Sequence, residues 1–539
     1  MGYDVVIVGG GIAGLTSAAY LSREGLRVLV CEKAEKVGGL VNSFGYKGFT
    51  FDGGIRAIEN SGIVFPMLRQ LGIEMEFVKS PVSVGIGNRI VRLTSRESLK
   101  DYEELLAWAF PENTADVAAI TKEVSRVMDL MDILYGIDNP LFMDIGKDKE
   151  YLMKTLLPWY VKYRMNIGKA VKLNIPINTY MERFTKNESL RSMVTQHFFT
   201  DTPSFFALSY FSLYLDYAYP KGGTGVLIEK MVEKIVEQGG EIRTGTEVTS
   251  VNLKERTLQT VSGETVGFRK LVWAADLNRL YSAMDTTALS DQKVIRSTEQ
   301  RRQDFSGKTG GDSIFTVYLT VDRPKEEFEK ICSPHLFYTP KTTGLSAISL
   351  EDLKTGETDS VSGFTTDKDR IIGWLGRYMD LNTFEISIPV MRDDTLAPPG
   401  KTGIIASTLM DYRLVKHIAD MGWYEEFKQV CEEQVIRVLD TSVFPWLSES
   451  VTDRFSSTPI TIERVTGNHQ GAITGWSFTN DRIPVENRFP KIAKSVLTPL
   501  PGVFQAGQWV FSPSGLPVSV LTGKLAADEV KKELKKEKK

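Results

Sequence analysis

The chain has 539 residues, 42% of them hydrophobic and 25% charged, with a formal net charge of -3 and a pI near 6.0. That length asks for two to four domains or a discontinuous pair, and that composition excludes a disordered chain. The charge balance gives no electrostatic reason to bind nucleic acid, and three scattered cysteines, Cys31, Cys332 and Cys431, exclude a disulfide framework or a zinc cluster.

The N-terminal apolar run is too short for a secretory leader, lacks a basic flank and is cut by glycine, so a cytoplasmic location is expected. No apolar run reaches the roughly 18 residues of a spanning helix. The run instead reads as a buried parallel strand, "DVVIVG" from Asp4 to Gly9. Gly9-x-Gly11-x-x-Gly14 follows. Gly9 permits the tight turn, Gly11 lets a pyrophosphate approach the backbone, and Gly14 lets the next helix pack closely on the strand. The small-residue helix "IAGLTSAAYLSREG" turns its N-terminus toward the same place, where its free N–H groups suit phosphate. "LRVLVCEK" is the second strand, and Glu32 at its end suits a ribose 2′-hydroxyl, which disfavours NADP. Strand, turn, helix, strand and acid in that order predict dinucleotide binding.

Farther along, "PVSVGI" and "NRIVRL" predict a strand pair, and "YEELLAWAF", "VMDLMDILYG" and "YLMKTLLPWYVKYRM" predict helices. The stretch 195–220, "TQHFFTDTPSFFALSYFSLYLDYAYP", is crowded with aromatics. It suits a lipid tunnel and equally suits an ordinary core. A helical period at Val226, Met231, Ile235 and Val236 ends at Gly239-Gly240, and two alternating strands follow. "RKLVWAADLN" (269–278) is another strand. Next come four predicted strands, "SIFTVYLTVD", "RIIGWLGRYM", "FEISIPVMRD" and "GIIASTLMDY", then the long helix "WYEEFKQVCEEQVIRVLD". The polar stretch 353–369 reads as an exposed loop. The tail "KKELKKEKK" reads as a solvated helix end or a weak contact to anionic lipid. The four histidines, His197, His335, His417 and His469, show no ligand spacing, so no metal site is expected.

A second glycine pair, Gly38-Gly39, then "FTFDGGIR", and the closing "LPGVFQAGQWVFSPSGLPVSVLTGKLAADEV" (500–530) together resemble flavoproteins of the glutathione-reductase-like, amine-oxidase and phytoene-desaturase type. "FDGGI", "YPKGG" and "GLP" resemble most the phytoene desaturase, carotenoid isomerase and retinol saturase group, diffusely over nearly the whole chain. The resemblance implies FAD and an α/β, Rossmann-type FAD-binding domain built from segments 1–80, 219–280 and 490–539. An α+β substrate domain, a mixed sheet with helices, would take 81–218 and 281–489. Cofactor contacts are then expected at Gly9, Gly11, Ile12, Ala13, Gly14, Glu32, Lys33, Gly38, Gly39 and Leu40, and at Asp52, Gly53, Gly54 and Ile55. Val248, Ala274 and Ala275 fall on the adenine side. Gly507, Gln508, Gly515, Leu516 and Pro517 fall toward the flavin. Gln508 departs from the aspartate of many relatives but still bonds a hydroxyl. For Asp52 a structural cap competes with a ribose contact.

The group resembled implies a long apolar isoprenoid, carotenoid or retinoid substrate, desaturated, saturated or isomerised by hydride transfer with flavin N5. It also implies a redox partner of unknown identity and a peripheral membrane contact. Catalytic candidates lie only in segments facing the flavin: Arg56, Glu59 and Trp509. Arg56 stands where relatives often carry histidine. It is read either as a fixed cation for reduced flavin or as a salt-bridge partner of Glu59 or another surface acid. Glu59 is a base or a solvated carboxylate. Trp509 flanks the ring or simply packs. Two other functions fit the same fold, an amine or amino-acid oxidase and a flavin-binding protein without turnover.

Overall fold

The computed structural model describes residues 2–144, 148–285, 290–355 and 363–538. Strand Tyr3–Val8 lies inside an eight-stranded sheet, parallel to Val28–Cys31 on one side and to Thr265–Trp273 on the other. Val28–Cys31 carries Glu241–Arg243 in parallel, and the end of Thr265–Trp273 carries Val503–Gln505 in parallel. An antiparallel meander, Val248–Asn252 and Thr257–Thr260, completes the sheet with the short strand Met284–Asp285. Pieces from both chain ends and the middle thus share one sheet. The continuous Val/Ile run of Val5 to Val8 is explained by burial on both faces. Helices Ile12–Ser22, Val226–Glu237 and Leu516–Glu537 share one apolar core on it. A Cβ at Gly523 would stand 2.4 Å from Ala13 O, so the first and last of these helices meet backbone to backbone.

The second sheet has seven strands in the order Val451–Ser457, Ser313–Val321, Thr402–Met410, Phe384–Ser387, His335–Thr339, Val82–Ile86 and Arg89–Leu93. Only His335–Thr339 with Val82–Ile86 is parallel, so the sheet is mixed. One helical layer, including Thr114–Tyr135 and Ser204–Leu215, packs at its Val82 end. Another, including Tyr424–Ser442, packs with Ser313–Val321. The hairpin Ser43–Tyr46 and Phe49–Asp52 inserts Phe51 into that second core, 5.5 Å from the Tyr318 ring, and so ties the two sheets together.

Two expectations change. "RIIGWLGRYM" is not a strand but part of helix Lys368–Leu381. Asp367 caps that helix through the Arg370 N–H, and Ile371, Trp374, Leu375 and Met379 bury one face at helical spacing, which outweighs the β-branched pair that suggested a strand. The helix Gln292–Phe305 packs Phe305 against Trp476, ring centroids 5.1 Å apart, in the core of the first sheet. Residues 281–285 and 292–305 therefore lie with the first sheet. Of the expected loop 353–369, residues 356–362 lie outside the described residues. The three cysteines are buried and unpaired.

Candidate functional site

A single continuous cavity of about 1550 Å³ runs from the glycine turn of the first sheet to the helical layer of the second. Every residue expected at the cofactor or in catalysis lines it except Gly14 and Asp52. Gly14 is a packing residue, because a Cβ there would lie 2.0 Å from Gly9 O. Gly9 takes φ +105 with Ala274 O 2.8 Å from where its Cβ would be. At Gly11 the added Cβ meets nothing within 4 Å, so the missing side chain is open groove. The following helix begins there with no side-chain cap, leaving its first N–H groups for an anion. These features fit a pyrophosphate.

Glu32 directly follows strand Val28–Cys31, with Oε2 accepting from Gly10 N at 2.7 Å and Oε1 accepting from Ala34 N at 2.9 Å. A carboxylate has about four acceptor positions, so lone pairs remain for ribose hydroxyls. Glu32→Ala is expected to weaken FAD binding by about tenfold or more, since it removes charge-assisted hydrogen bonds. Fluorescence titration of apoprotein with FAD checks this, and unchanged Kd removes the ribose role. Lys33 Nζ donates to Arg464 O at 3.1 Å, so it pins one wall to another. Burial holds its pKa below the usual lysine value, with Arg279 adding to the effect.

Asp52 takes the structural one of its two expected roles. Its Oδ1 accepts from Ser43 Oγ, Thr224 N and Thr224 Oγ1, and its Oδ2 accepts from Tyr219 OH at 2.7 Å. Fully buried and saturated, it fastens the hairpin to the turn before Val226–Glu237 and does not line the cavity. Beside it Gly53 and Gly54 line the cavity, and a Cβ on Gly54 would sit 1.9 Å from Leu40 O. Trp509 also packs. Its indole meets Trp476 edge-on at 5.0 Å and donates to Asn468 Oδ1 at 3.2 Å. Gln508 Nε2 reaches Ala472 O at 3.4 Å. Helix Leu516–Glu537 starts at the cavity wall with Gly515, Leu516 and Pro517, presenting a positive dipole end.

Arg56 makes no ion pair with Glu59. It is 4% exposed and donates to Asp52 O, Gly54 O and Ser407 Oγ at 2.7, 2.6 and 3.1 Å, so it braces the Asp-Gly-Gly turn against the second sheet. Its Nε has no partner. Glu59, freed of that pairing, opens onto the cavity interior and not onto the outer surface. Burial pushes its carboxyl up to about 7, against the opposing bond from its own N–H.

Beyond Glu59 the walls are aromatic. On helix Ser204–Leu215, Phe205, Phe206 and Tyr210 line the cavity while Ala207, Leu208 and Phe211 fill the helical core. One helix thus serves both cavity wall and core, and Leu213 and Tyr214 belong to both. His197 also lines this part, and burial drives its imidazole down to about 4.

The site contains a pair that sequence reasoning missed. His335 Nε2 lies 3.0 Å from Glu385 Oε1, and both line the cavity. Burial pushes the His335 imidazole below its usual range and outweighs the pull of Glu385. Burial also opposes ionisation of Glu385, but the His335 hydrogen bond and the Arg56 and Arg392 cations overcome it and hold that carboxyl below the ordinary range. A neutral imidazole donating through Nε2 to a carboxylate follows, with Nδ1 left without a partner. The fields of Glu59 and Glu385 both reach Tyr210 and Tyr217, so the two acids face one aromatic wall. The available signal was an acid inside the apolar strand "FEIS". Its partner, 50 residues away, was not marked.

Residues 12–531 match the family described as flavin containing amine oxidoreductase. The chain belongs to that family. It is an FAD-dependent oxidoreductase, and the uncapped groove at Gly11 is where this fold receives the cofactor's pyrophosphate. Among curated relatives it is 23% identical to the chloroplastic prolycopene isomerase of Daucus carota, over 99% of this chain and 80% of that one. It is 22% identical to the all-trans-retinol 13,14-reductase of Danio rerio, over 94% of this chain and 82% of that one. Among solved structures, cyclohexylamine oxidase from Brevibacterium oxydans IH-35A superposes with a TM-score of 0.58 at 14% identity, covering 99% of this chain and 100% of that one. Reduced UDP-galactopyranose mutase superposes with a TM-score of 0.57 at 13% identity, covering 99% and 94%. Those two likenesses establish the fold.

Proposed function

We propose that the protein acts on carbon–carbon double bonds of a long apolar isoprenoid of carotenoid or retinoid type, removing, adding or moving them. The observation that carries this reading is the continuity of the cavity. The glycine-lined groove opens directly into an aromatic chamber whose polar groups include two acids and two histidines. The names of the relatives, a prolycopene isomerase and a retinol reductase, support it.

Bound FAD supplies the hydride acceptor or donor. The chain's own residues do the rest. The aromatic walls exclude water and hold an apolar chain in one orientation. Glu59, its carboxyl near neutrality, holds a proton or takes one at carbon. Glu385, kept ionised by His335 and the two guanidiniums, stabilises positive charge developing on the polyene. Arg56 keeps the Asp-Gly-Gly turn of the cavity wall rigid.

The test is product mass. The holoprotein, oxidised or anaerobically prereduced, is incubated with acyclic and conjugated isoprenoids, and the extracts are separated and weighed by mass spectrometry. Loss or gain of two hydrogens, or a retention shift at constant mass, is expected. No change across the panel overturns the reading, and hydrogen peroxide released with amines replaces it with amine oxidation.

A further inference from the structure

Much of the large apolar surface left exposed in the described residues comes from one helix. It opens with a π-helical turn, Tyr151–Leu156, and continues as α-helix Leu157–Val171. Met153, Leu157, Val161 and Met165 recur every four residues, all exposed, with Met165 at 73%, and Tyr160 and Val171 join them. Residues at that spacing share a face. The opposite face already has its core contacts, since Tyr163, Ile167 and Ala170 pack on the helical layer. A helix apolar on both faces, with only one face covered, is built to meet a second apolar phase.

We propose that this helix is a membrane-docking face that rests in an anionic bilayer surface and opens the cavity to lipid. Charge selects the occupant. Over residues 148–174 six basic residues, Lys149, Lys154, Lys162, Arg164, Lys169 and Lys172, face two acids, Asp148 and Glu150, although the whole chain is net negative. Lys154 is paired with Glu150, whereas Lys162, Arg164, Lys169 and Lys172 make no ion pair among the described residues. They flank the exposed apolar side chains in sequence, so their stems can lie along the lipid while their cations meet phosphate. A second copy of the chain would set these cations against their like, which disfavours self-association through this face. Continuity gives the face its purpose. Ile167, Ala170 and Val171 line the cavity, and Val171 is also exposed, so the cavity reaches the surface beside the docking face. An apolar substrate then enters without crossing water.

The basic tail spends part of its charge within the protein. Its acids Glu533 and Glu537 bind Lys270, and Lys531 binds Asp528 and Glu24. No helix of the described residues is long and apolar enough to cross a membrane, so the contact lies in the interface.

The experiment is sedimentation of the FAD-loaded protein with vesicles of phosphatidylcholine alone or mixed with phosphatidylglycerol. No substrate is present, so the result is separate from the proposed activity. Binding is expected, stronger to the mixed vesicles. Val161→Glu with Met165→Glu should lower the partition coefficient by about tenfold or more on both. Lys162→Glu with Arg164→Glu should erase only the preference for anionic lipid. Melting temperature and flavin content should stay unchanged in both variants, because the altered side chains are exposed. Absence of wild-type binding, or equal binding by all three proteins, overturns the proposal. So does a dimer in light scattering that the Val161/Met165 variant dissociates.

Discussion

Gly11→Val is expected to give a folded protein without FAD. Gly11 sits at φ -73, a conformation open to any residue, and its Cβ would touch nothing of the protein. Folding therefore tolerates the substitution. The two added methyls occupy the groove through which the pyrophosphate approaches the uncapped helix N-terminus. Absorbance of protein purified with excess FAD should show less than about a tenth of the wild-type stoichiometry, a loss of at least 1.4 kcal/mol in binding. The circular dichroism spectrum should be retained. Gly14→Val supplies the contrast. There the Cβ would lie 2.0 Å from Gly9 O, so stability and FAD should be lost together. Stoichiometric FAD in Gly11→Val would remove the glycine turn from the cofactor site.

The contrast also explains what was legible in the sequence. The nucleotide half is written in local geometry. Gly9 must take a positive φ, Gly14 must lack a Cβ, and Glu32 must follow a strand, so residue type and spacing were enough. The aromatic half of the cavity depends on distant strands. His335–Thr339 runs parallel to Val82–Ile86 and antiparallel to Phe384–Ser387, and only that pairing brings His335 beside Glu385. No short-range pattern encodes it. The choice at Asp52 also rested on distant residues. An acid before Gly-Gly reads as a ligand group, but its four donors come from residues 43, 219 and 224, and the network consumes it. The aromatic stretch resisted a choice because its residues both line the cavity and pack in the core. Helix Ser204–Leu215 serves core and cavity at once, with Leu213 and Tyr214 in both.

Glu59→Gln is expected to lower kcat by about a hundredfold or more with little change in KM, the range for loss of a positioned acid or base. Gln keeps the size and hydrogen bonding of the side chain but cannot move a proton. Because burial raises the wild-type carboxyl from 4.5 to about 7, the wild-type rate should change through neutral pH and the variant's should not. The sign reveals the direction of reaction. Activity falling as pH rises through about 7 means the protonated acid is used, as addition of hydrogen requires. Activity rising means the carboxylate accepts a proton, as desaturation requires. Stability supplies a readout free of turnover. A carboxyl whose folded pKa is raised costs stability above its unfolded value, and the cost grows until the folded pKa is passed. The wild-type holoprotein should therefore melt lower than Glu59→Gln above pH 7 and equally below the ordinary carboxyl range. A neutral limb that survives in the variant would move the proton-transfer role to the His335–Glu385 pair. An unchanged kcat and an unchanged limb together would leave Glu59 as a wall residue only.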